Sequence, residues 1–260
     1  MILWDITDIS KYLTDSSMIS ELEEYRQKNA DLIQELQRVT STMQSKEIKC
    51  FSELAVTDKN LAAEYVGMAK KVPPMIMRDD VNIGLFGIIS SGKSTMLNSL
   101  LGKKVAATGA GGTTKSLANY SGSGFTLWDV PGGNDGIYYM SATYTAFWKS
   151  LTKLLILITA TIQEMMFVFK LLDALDLKYV IVVNKIDTIN DEGELETFKS
   201  KINEEIYNQA LIGVEKVFFV SGRYPSEQGD WQYLVRHVLG ESTPIFYAPK
   251  IDDTISNLGR

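Results

Sequence analysis

The sequence predicts an α/β fold, a mostly parallel sheet with helices on both faces, preceded by a helical region. Residues 1–72 hold no proline and no glycine before Gly67, whereas from Val81 short apolar runs alternate with helical patterns. Repeated strand–helix alternation is typical of a parallel sheet covered on both faces. The chain has 260 residues and is 45% hydrophobic, which is enough for one sizeable core. We expect three parts: a helical region over 1–80, the α/β domain over 81–240, and a C-terminal segment over 241–260 that packs back on the helical region.

The helical region is expected to contain two helices. The first runs from Asp15 to about Cys50 and carries an apolar stripe at three- and four-residue spacing. The stripe consists of Leu22, Tyr25, Asn29, Leu32, Leu36, Val39 and Met43. We favour packing on its own domain over a coiled coil with another chain, because one apolar stripe is the usual pattern of a globular helix. The second helix, from about Asp58 to Lys71, ends before two prolines that cannot continue it.

Short apolar runs and helical patterns follow in turn through the α/β region. The predicted strands cover 81–87, 125–130, 154–159, 178–184 and 217–220. The predicted helices begin at Lys93 and cover 162–175, 192–211 and 230–239. The most apolar window, 151–175, is interrupted by charged and polar residues, so it is predicted as a buried strand and a helix rather than a membrane span.

The amino-acid composition indicates which classes of partner and which cellular compartment to expect. The net charge is −6 and the pI is about 5.0, which argues against a nucleic-acid partner, since coating that backbone needs clustered Lys and Arg. Cys50 is the one cysteine, so no intramolecular disulfide forms, as is usual in a reducing compartment. The N-terminus lacks the pattern of a signal peptide, and Ile2 excludes myristoylation of this N-terminus. We expect a cytoplasmic protein.

The stretch GIISSGKS, residues 87–94, fits the pattern GxxxxGK[ST] of a phosphate-binding loop. It follows a predicted strand and opens a predicted helix, which is the context that the pattern requires. Glycines let the backbone approach phosphate oxygens, and successive N–H groups at a helix N-terminus point at the anion. Lys93 is expected to reach the outer phosphates and the Ser94 hydroxyl to bind Mg²⁺. The alternative is a strand-to-helix turn without a ligand.

Two further segments carry residues suited to bind the terminal phosphate and the metal. WDVPG, residues 128–132, closes a predicted strand, so Asp129 is expected near the magnesium and the Gly132 N–H near the terminal phosphate. The glycine-rich stretch 108–116 offers a threonine that can complete the magnesium shell. Thr114 is our choice and Thr113 the substitute; a flexible surface loop is the alternative. We therefore expect Ser94, Thr114 and Asp129 as metal ligands, and Lys93, Thr114 and Gly132 as catalytic residues.

NKID, residues 184–187, indicates which base is bound. The Asp187 carboxylate can accept two hydrogen bonds from the guanine edge, whereas adenine lacks both donors, and such pairing can discriminate by about 10⁴. The Lys185 stem can lie over the purine, Asn184 can tie this turn to the phosphate loop, and Ser221–Arg223 can offer backbone N–H groups to the guanine oxygen. The expected nucleotide-binding residues are Gly87, Ser90, Ser91, Gly92, Lys93, Ser94, Thr95, Asn184, Lys185, Asp187, Ser221 and Gly222.

With these five motifs in order over residues 87–223, the chain resembles the P-loop GTPases of the translation-factor and Ras type. More finely, WDVPG and the preceding helical region resemble the immunity-related GTPases, which are interferon-inducible and dynamin-related. That family usually has a longer helical region after the GTPase domain, so this chain is shorter or truncated by comparison. The resemblance implies GTP hydrolysis with Mg²⁺, GTP-dependent assembly as a homodimer across the nucleotide face, and a role in immune defence with peripheral membrane contact.

Hydrolysis by the isolated chain is expected to be slow. Gly133 occupies the position where some fast GTPases place a water-orienting glutamine, and no arginine lies in 94–130. His237, the single histidine, is assigned to helix packing rather than catalysis. The leading hypothesis is a GTPase that two G domains complete together. The alternatives are a pseudo-GTPase that holds nucleotide without turnover, an ATP-using P-loop protein, and a helical scaffold with a vestigial G domain.

Overall fold

A six-stranded sheet forms the centre of the molecule in a computed structural model, which describes residues 16–77, 81–106, 117–131, 136–225 and 229–240. The strands are β1 Asn82–Gly87, β2 Ala118–Ser121, β3 Thr126–Asp129, β4 Lys153–Ile158, β5 Tyr179–Asn184 and β6 Val214–Val220. Their order across the sheet is β2-β3-β1-β4-β5-β6, and every neighbouring pair is parallel except β2 with β3. The predicted α/β fold with a mostly parallel sheet is confirmed.

Helices precede the sheet and alternate with its strands. They are α1 Ser16–Lys28, α2 Ala30–Ser45, α3 Phe51–Thr57, α4 Lys59–Lys71, α5 Lys93–Leu101, α6 Ala142–Ser150, α7 Met166–Ala174, α8 Glu192–Asn208 and α9 Trp231–Leu239. Short 3-10 helices cover Tyr138–Met140, Ile162–Met165 and Ile186–Thr188. None of the helices in these described parts is both long and apolar enough to cross a bilayer.

Side chains of the central strands alternate between two cores, as the pleat of a strand requires. On one face, Leu85 of β1 packs with helices α5 and α9. On the other face, its neighbour Phe86 stacks on Trp148 of α6, with ring centroids 4.0 Å apart. Helices α2, α3, α4 and α7 belong to this second core as well. Helices therefore cover both faces, and the N-terminal helices add a further layer on the face of α6.

The single helix expected from Asp15 to Cys50 is wrong in detail. The structure divides it at Asn29 into α1 and α2, and α2 ends at Ser45. The Asn29 side chain donates to the carbonyl oxygen of Tyr25 at 2.8 Å, a local bond with which asparagine competes against regular helix. The prediction that the stripe packs on its own domain agrees with its burial, because Leu36, Val39 and Met43 are at most 1% exposed.

Two contacts join the N-terminal layer to the segment that follows β3. The Tyr65 hydroxyl of α4 donates to the carbonyl oxygen of Met140 at 3.1 Å. A Cβ atom added at Gly136 would lie 2.3 Å from the Cβ of Cys50 and 2.9 Å from the carbonyl oxygen of Lys49. Only glycine permits this approach, so the turn before α3 and the start of the segment after β3 are in van der Waals contact.

Lysine 149 makes a third connection between the layers. Its ammonium donates to three carbonyl oxygens at the end of α4, those of Ala69 at 2.8 Å, Lys70 at 2.9 Å and Val72 at 2.7 Å. The last turn of a helix leaves carbonyls without an internal partner, and of these three the Ala69 carbonyl also accepts from the Val72 N–H at 3.2 Å. Lys149 lies on α6, so it supplies the C-cap of α4 from another helix.

Candidate nucleotide-binding site

The carboxyl ends of β1, β3, β5 and β6 bring the predicted motifs to one edge of the sheet, where open α/β folds bind ligands. Residues 87–94 connect β1 to α5, and helix α5 begins at Lys93. Gly92 adopts φ +96°, a left-handed conformation that favours glycine. Ser90 has φ +66° and is exposed at the tip, whereas Ser91 is buried and Ser94 and Thr95 are half-buried. The loop is thus bent sharply, with its backbone at the N-terminus of α5.

Lysine 93 folds back over its own loop. Its ammonium donates to the carbonyl oxygens of Gly87 at 2.9 Å and Ile88 at 3.1 Å, and the residue is 7% exposed. Burial lowers the pKa of Lys93, and the negative charge of Asp129 opposes part of that decrease. A buried cation held by neutral carbonyls is ready to exchange them for an anion, since charge-assisted hydrogen bonds are the stronger ones.

Asp129 is the last residue of β3 and is 2% exposed. It pairs in register with Leu85 of β1, so it stands beside the strand that leads into the phosphate loop. The indole nitrogen of Trp128 donates to the Asn82 side chain at 3.0 Å, which fixes the two strands against each other. A buried carboxylate together with the Ser94 hydroxyl supplies oxygen donors of the kind that Mg²⁺ prefers, so these residues fit the expected metal.

The turn after β5 is tied directly to the phosphate loop. The Asn184 amide nitrogen donates to the carbonyl oxygen of Ser91 at 2.9 Å, and Asn184 is 3% exposed. A Cβ atom at Gly92 would lie only 2.3 Å from that nitrogen. Lys185 follows in a left-handed conformation with φ +69° and is exposed, and Asp187 lies half-buried in the short helix after it. The phosphate loop and the NKID turn therefore form one packed unit.

The loop after β6 joins the same unit. The Gly222 N–H donates to the other side-chain atom of Asn184, its oxygen, at 2.8 Å. Ser221 is fully buried, and its hydroxyl accepts from the Tyr224 N–H at 3.0 Å, which closes a tight turn. The backbone N–H groups of this loop were expected to face the guanine oxygen. That of Gly222 is instead bonded to Asn184.

Four of the expected residues lie outside the described parts of the chain. They are Thr113, Thr114, Gly132 and Gly133, and the C-terminal segment 241–260 lies outside them too. Their assignments remain predictions. The structure places the remaining site residues on the phosphate loop and the first turn of α5, at the end of β3, in the turn after β5 and in the loop after β6.

Sequence reasoning missed two buried polar residues of α5. The Asn98 side chain accepts from the N–H groups of Val105 and Ala106 and donates to the carbonyl oxygen of Ala106, each at 2.9 Å. The Ser99 hydroxyl donates to the carbonyl oxygen of Gly222 at 2.6 Å. A signal was present in the sequence, because an Asn–Ser pair interrupts the apolar face of LNSLLG in a helix that must pack on the sheet.

A family model described as a 50S ribosome-binding GTPase matches residues 82–185, about two fifths of the chain. This match covers the phosphate loop, Asp129 and the first two residues of NKID. A search of curated proteins found no match.

The solved structures that match the chain do so at low identity. Era from Aquifex aeolicus bound to GDP·AlF4⁻ is 20% identical, with a TM-score of 0.48 over 65% of this chain and 60% of its own. An Era complex with MgGDPNP and a segment of 16S ribosomal RNA is also 20% identical, with a TM-score of 0.48 over 64% and 59%. A GTP-binding protein from Sulfolobus solfataricus with GDP is 19% identical, with a TM-score of 0.41 over 82% and 66%.

The chain matches about 60% of the length of the Era structures, and such low similarity transfers neither activity nor partners. The immunity-related and dynamin-like subtype that the sequence suggested finds no support in these comparisons. The strand order, the phosphate loop between β1 and α5 and the family match agree with one another. The chain therefore has an α/β fold with a mostly parallel sheet, and its residues 82–185 match the model of a GTPase family.

Proposed function

We propose that this protein binds GTP and hydrolyses it to GDP and phosphate with Mg²⁺. One observation carries the proposal: the Asn184 side chain bridges the phosphate loop and the loop after β6 through buried hydrogen bonds at 2.9 and 2.8 Å. A buried amide that satisfies both loops sets the distance between a phosphate site and a base site. The connection therefore joins the segment assigned to the phosphates to the segments assigned to the base.

The phosphates would be held by the backbone N–H groups of the loop and by Lys93. In the structure that ammonium is bonded to Gly87 and Ile88 carbonyl oxygens, which a β- or γ-phosphate oxygen would replace. Ser94 and Asp129, with Thr114, would hold the magnesium. Bound Mg²⁺ neutralises charge on the β- and γ-phosphates and orients them for in-line displacement.

Guanine selection is assigned to the turn after β5. The Asp187 carboxylate would accept from the two donors of the guanine edge, while the Lys185 stem covers the purine face. Adenine would leave that carboxylate without its partners, which costs far more than a single neutral hydrogen bond. Ser221 and Gly222 would close the pocket from the loop after β6.

Cleavage of the bond between the γ-phosphorus and the bridging oxygen requires a positioned water. Thr114 and Gly132 are proposed to bind the terminal phosphate, but Gly133 offers no side chain to orient the attacking water. We therefore propose a low intrinsic rate that rises when two G domains meet across the nucleotide face. A pseudo-GTPase that holds nucleotide as a regulatory ligand is the second candidate, and Gly133 is the residue that favours it. Immune defence at membranes rests on the sequence resemblance alone.

The deciding experiment measures Mg²⁺-dependent GTP hydrolysis at increasing concentrations of the purified protein, alongside GDP and ADP binding. Specific activity that climbs with concentration supports catalysis completed between molecules. Binding of GDP with flat, negligible turnover supports the pseudo-GTPase. If the protein binds ADP as well as GDP, or neither, the assignment of a guanine nucleotide site is wrong. Lys93→Ala serves as the control without a working phosphate site.

A further inference from the structure

Ser99 makes a contact that a helical serine does not usually make. Serine and threonine inside helices commonly bond back to a carbonyl oxygen one turn earlier, as Ser200 does to Glu196 and Ser150 to Ala146 in this protein. The Ser99 hydroxyl instead donates across 123 positions to the carbonyl oxygen of Gly222, at 2.6 Å. Ser99 is 4% exposed, so water does not compete for this bond.

The Gly222 peptide groups are held from two sides. Its N–H donates to the Asn184 oxygen at 2.8 Å, and its carbonyl accepts from Ser99. The Asn184 nitrogen in turn donates to the carbonyl oxygen of Ser91. A continuous chain of buried hydrogen bonds thus runs from α5 through the loop after β6 and the NKID turn, and returns to the phosphate loop that precedes α5.

Of the residues in this hydrogen-bonded chain, Ser99 is the one that lies outside the recognised motifs. Asn184 and Gly222 each belong to a segment assigned to the base, and Ser91 belongs to the phosphate loop. Without the Ser99 hydroxyl, the buried Gly222 carbonyl loses the hydrogen bond from α5, and a buried carbonyl is costly to leave unpaired. The loop after β6 would then relax away from α5 and pull the Asn184 oxygen with it.

We propose that Ser99 is a positioning residue for guanine recognition, acting through Gly222 and Asn184. It touches neither base nor phosphate. Its hydroxyl sets the depth at which the loop after β6 sits against α5, and hence the position of the base pocket relative to the phosphate loop. The proposal rests on the proposed function, because it assumes that guanine nucleotide binds at this site.

The test compares Ser99→Ala with wild type in binding GDP and Mg²⁺-pyrophosphate, a ligand that lacks the base. Loss of one buried hydrogen bond should weaken GDP binding about tenfold, while pyrophosphate binding stays within about twofold. Ser99→Thr keeps a hydroxyl and should restore most of the GDP affinity. Ser200→Ala, which removes an exposed helical hydroxyl on α8, is the matched control and should change neither affinity.

Each outcome decides the matter. Equal weakening of GDP and pyrophosphate binding would mean that Ser99 merely supports α5, and unchanged GDP binding would remove its role altogether. Far-ultraviolet circular dichroism without nucleotide checks that Ser99→Ala is folded; if it is not, GDP binding by Ser99→Thr against Ser99→Val takes its place. A wild type that fails to bind GDP would overturn the proposed function, and the role of Ser99 with it.

Discussion

The ammonium of Lys149 donates to the carbonyl oxygen of Val72 over 2.7 Å, so a side chain of the α/β domain caps a helix of the N-terminal layer. Two further carbonyl oxygens of the same helix end share this ammonium. Burial lowers the pKa of Lys149, with the nearby charge of Lys70 acting in the same direction. The position of the cap shows that helix α4 depends on α6 for its last turn.

Replacing Lys149 with methionine should therefore destabilise the whole protein. The substitution keeps an apolar stem of similar length and leaves three carbonyl oxygens without the ammonium. We expect the free energy of unfolding to fall by about 1.5–3 kcal/mol, the range for hydrogen bonds to charged groups. Urea denaturation measures it. The control is Lys28→Met, whose exposed pair with Glu24 should contribute little to stability; equal losses in both variants would contradict the capping role.

Alanine should be tolerated less well at Gly92 than at Gly222. At Gly92 the added Cβ would lie 2.3 Å from the Asn184 nitrogen, at a φ of +96°, so Gly92→Ala should lower nucleotide affinity at least tenfold. At Gly222 the added Cβ would lie 3.3 Å from the Asn184 oxygen and 3.5 Å from the backbone of Met96, a tight contact without overlap, so Gly222→Ala should lower affinity by less than Gly92→Ala does. Isothermal titration with GDP distinguishes the two. A tolerated alanine at position 92 would show that the loop and the NKID turn separate when nucleotide binds.

Asp187→Asn should affect guanine nucleotides alone. The amide can accept one of the two guanine hydrogen bonds but presents a donor to the other, so we expect GTP affinity to drop by about a hundredfold or more. Binding of ATP, already weak, should not fall further. Competition with a fluorescent GDP analogue measures both. Asp191→Asn is the matched control, because asparagine can replace the N-cap bond of Asp191 to the Glu194 N–H and should leave binding unchanged.

Acid should weaken the fold through the single histidine. Burial lowers the pKa of His237 from its ordinary 6.5, helped by Lys153 and opposed by Glu215, with Lys216 also lowering it. The unfolded chain then takes up a proton at a higher pH than the folded chain does. Stability should be fully present above about pH 6.5 and decline as the pH falls below it.

His237→Gln isolates this contribution. The free energy of unfolding is measured by urea titration at pH 7.5 and at pH 5.5. It should be lower at pH 5.5 for wild type, and the difference between the two pH values should be smaller for the variant. Equal declines would assign the acid sensitivity to carboxylates instead.

The central strands were predictable because each is a short apolar run buried on both faces. β2 escaped notice because Ala118–Ser121 is short, half-exposed and antiparallel at the edge of the sheet. Helix α6 was missed for the opposite reason: the seven residues from Ala142 to Trp148 are all buried, so it shows no polar face by which a helix is recognised. In both segments the secondary structure is determined by tertiary packing, which the local sequence pattern does not show.

The site motifs were visible because phosphate and base chemistry demand particular residues at fixed spacing. What holds the motifs together was not visible. The bond between Ser99 and Gly222 joins residues 123 positions apart, and no local pattern encodes such a distance. The same holds for Gly136, whose approach to Cys50 depends on how two layers pack.

The close contact at Gly136 has a practical consequence for anyone who wishes to shorten the protein. Helices α2 to α4 share one core with Phe86, Phe147 and Trp148. Expressing residues 81–240 alone would uncover those aromatic side chains, and a fragment with so large an exposed apolar surface is prone to aggregate. Although the sequence suggests a domain boundary before β1, the protein should therefore melt in a single transition.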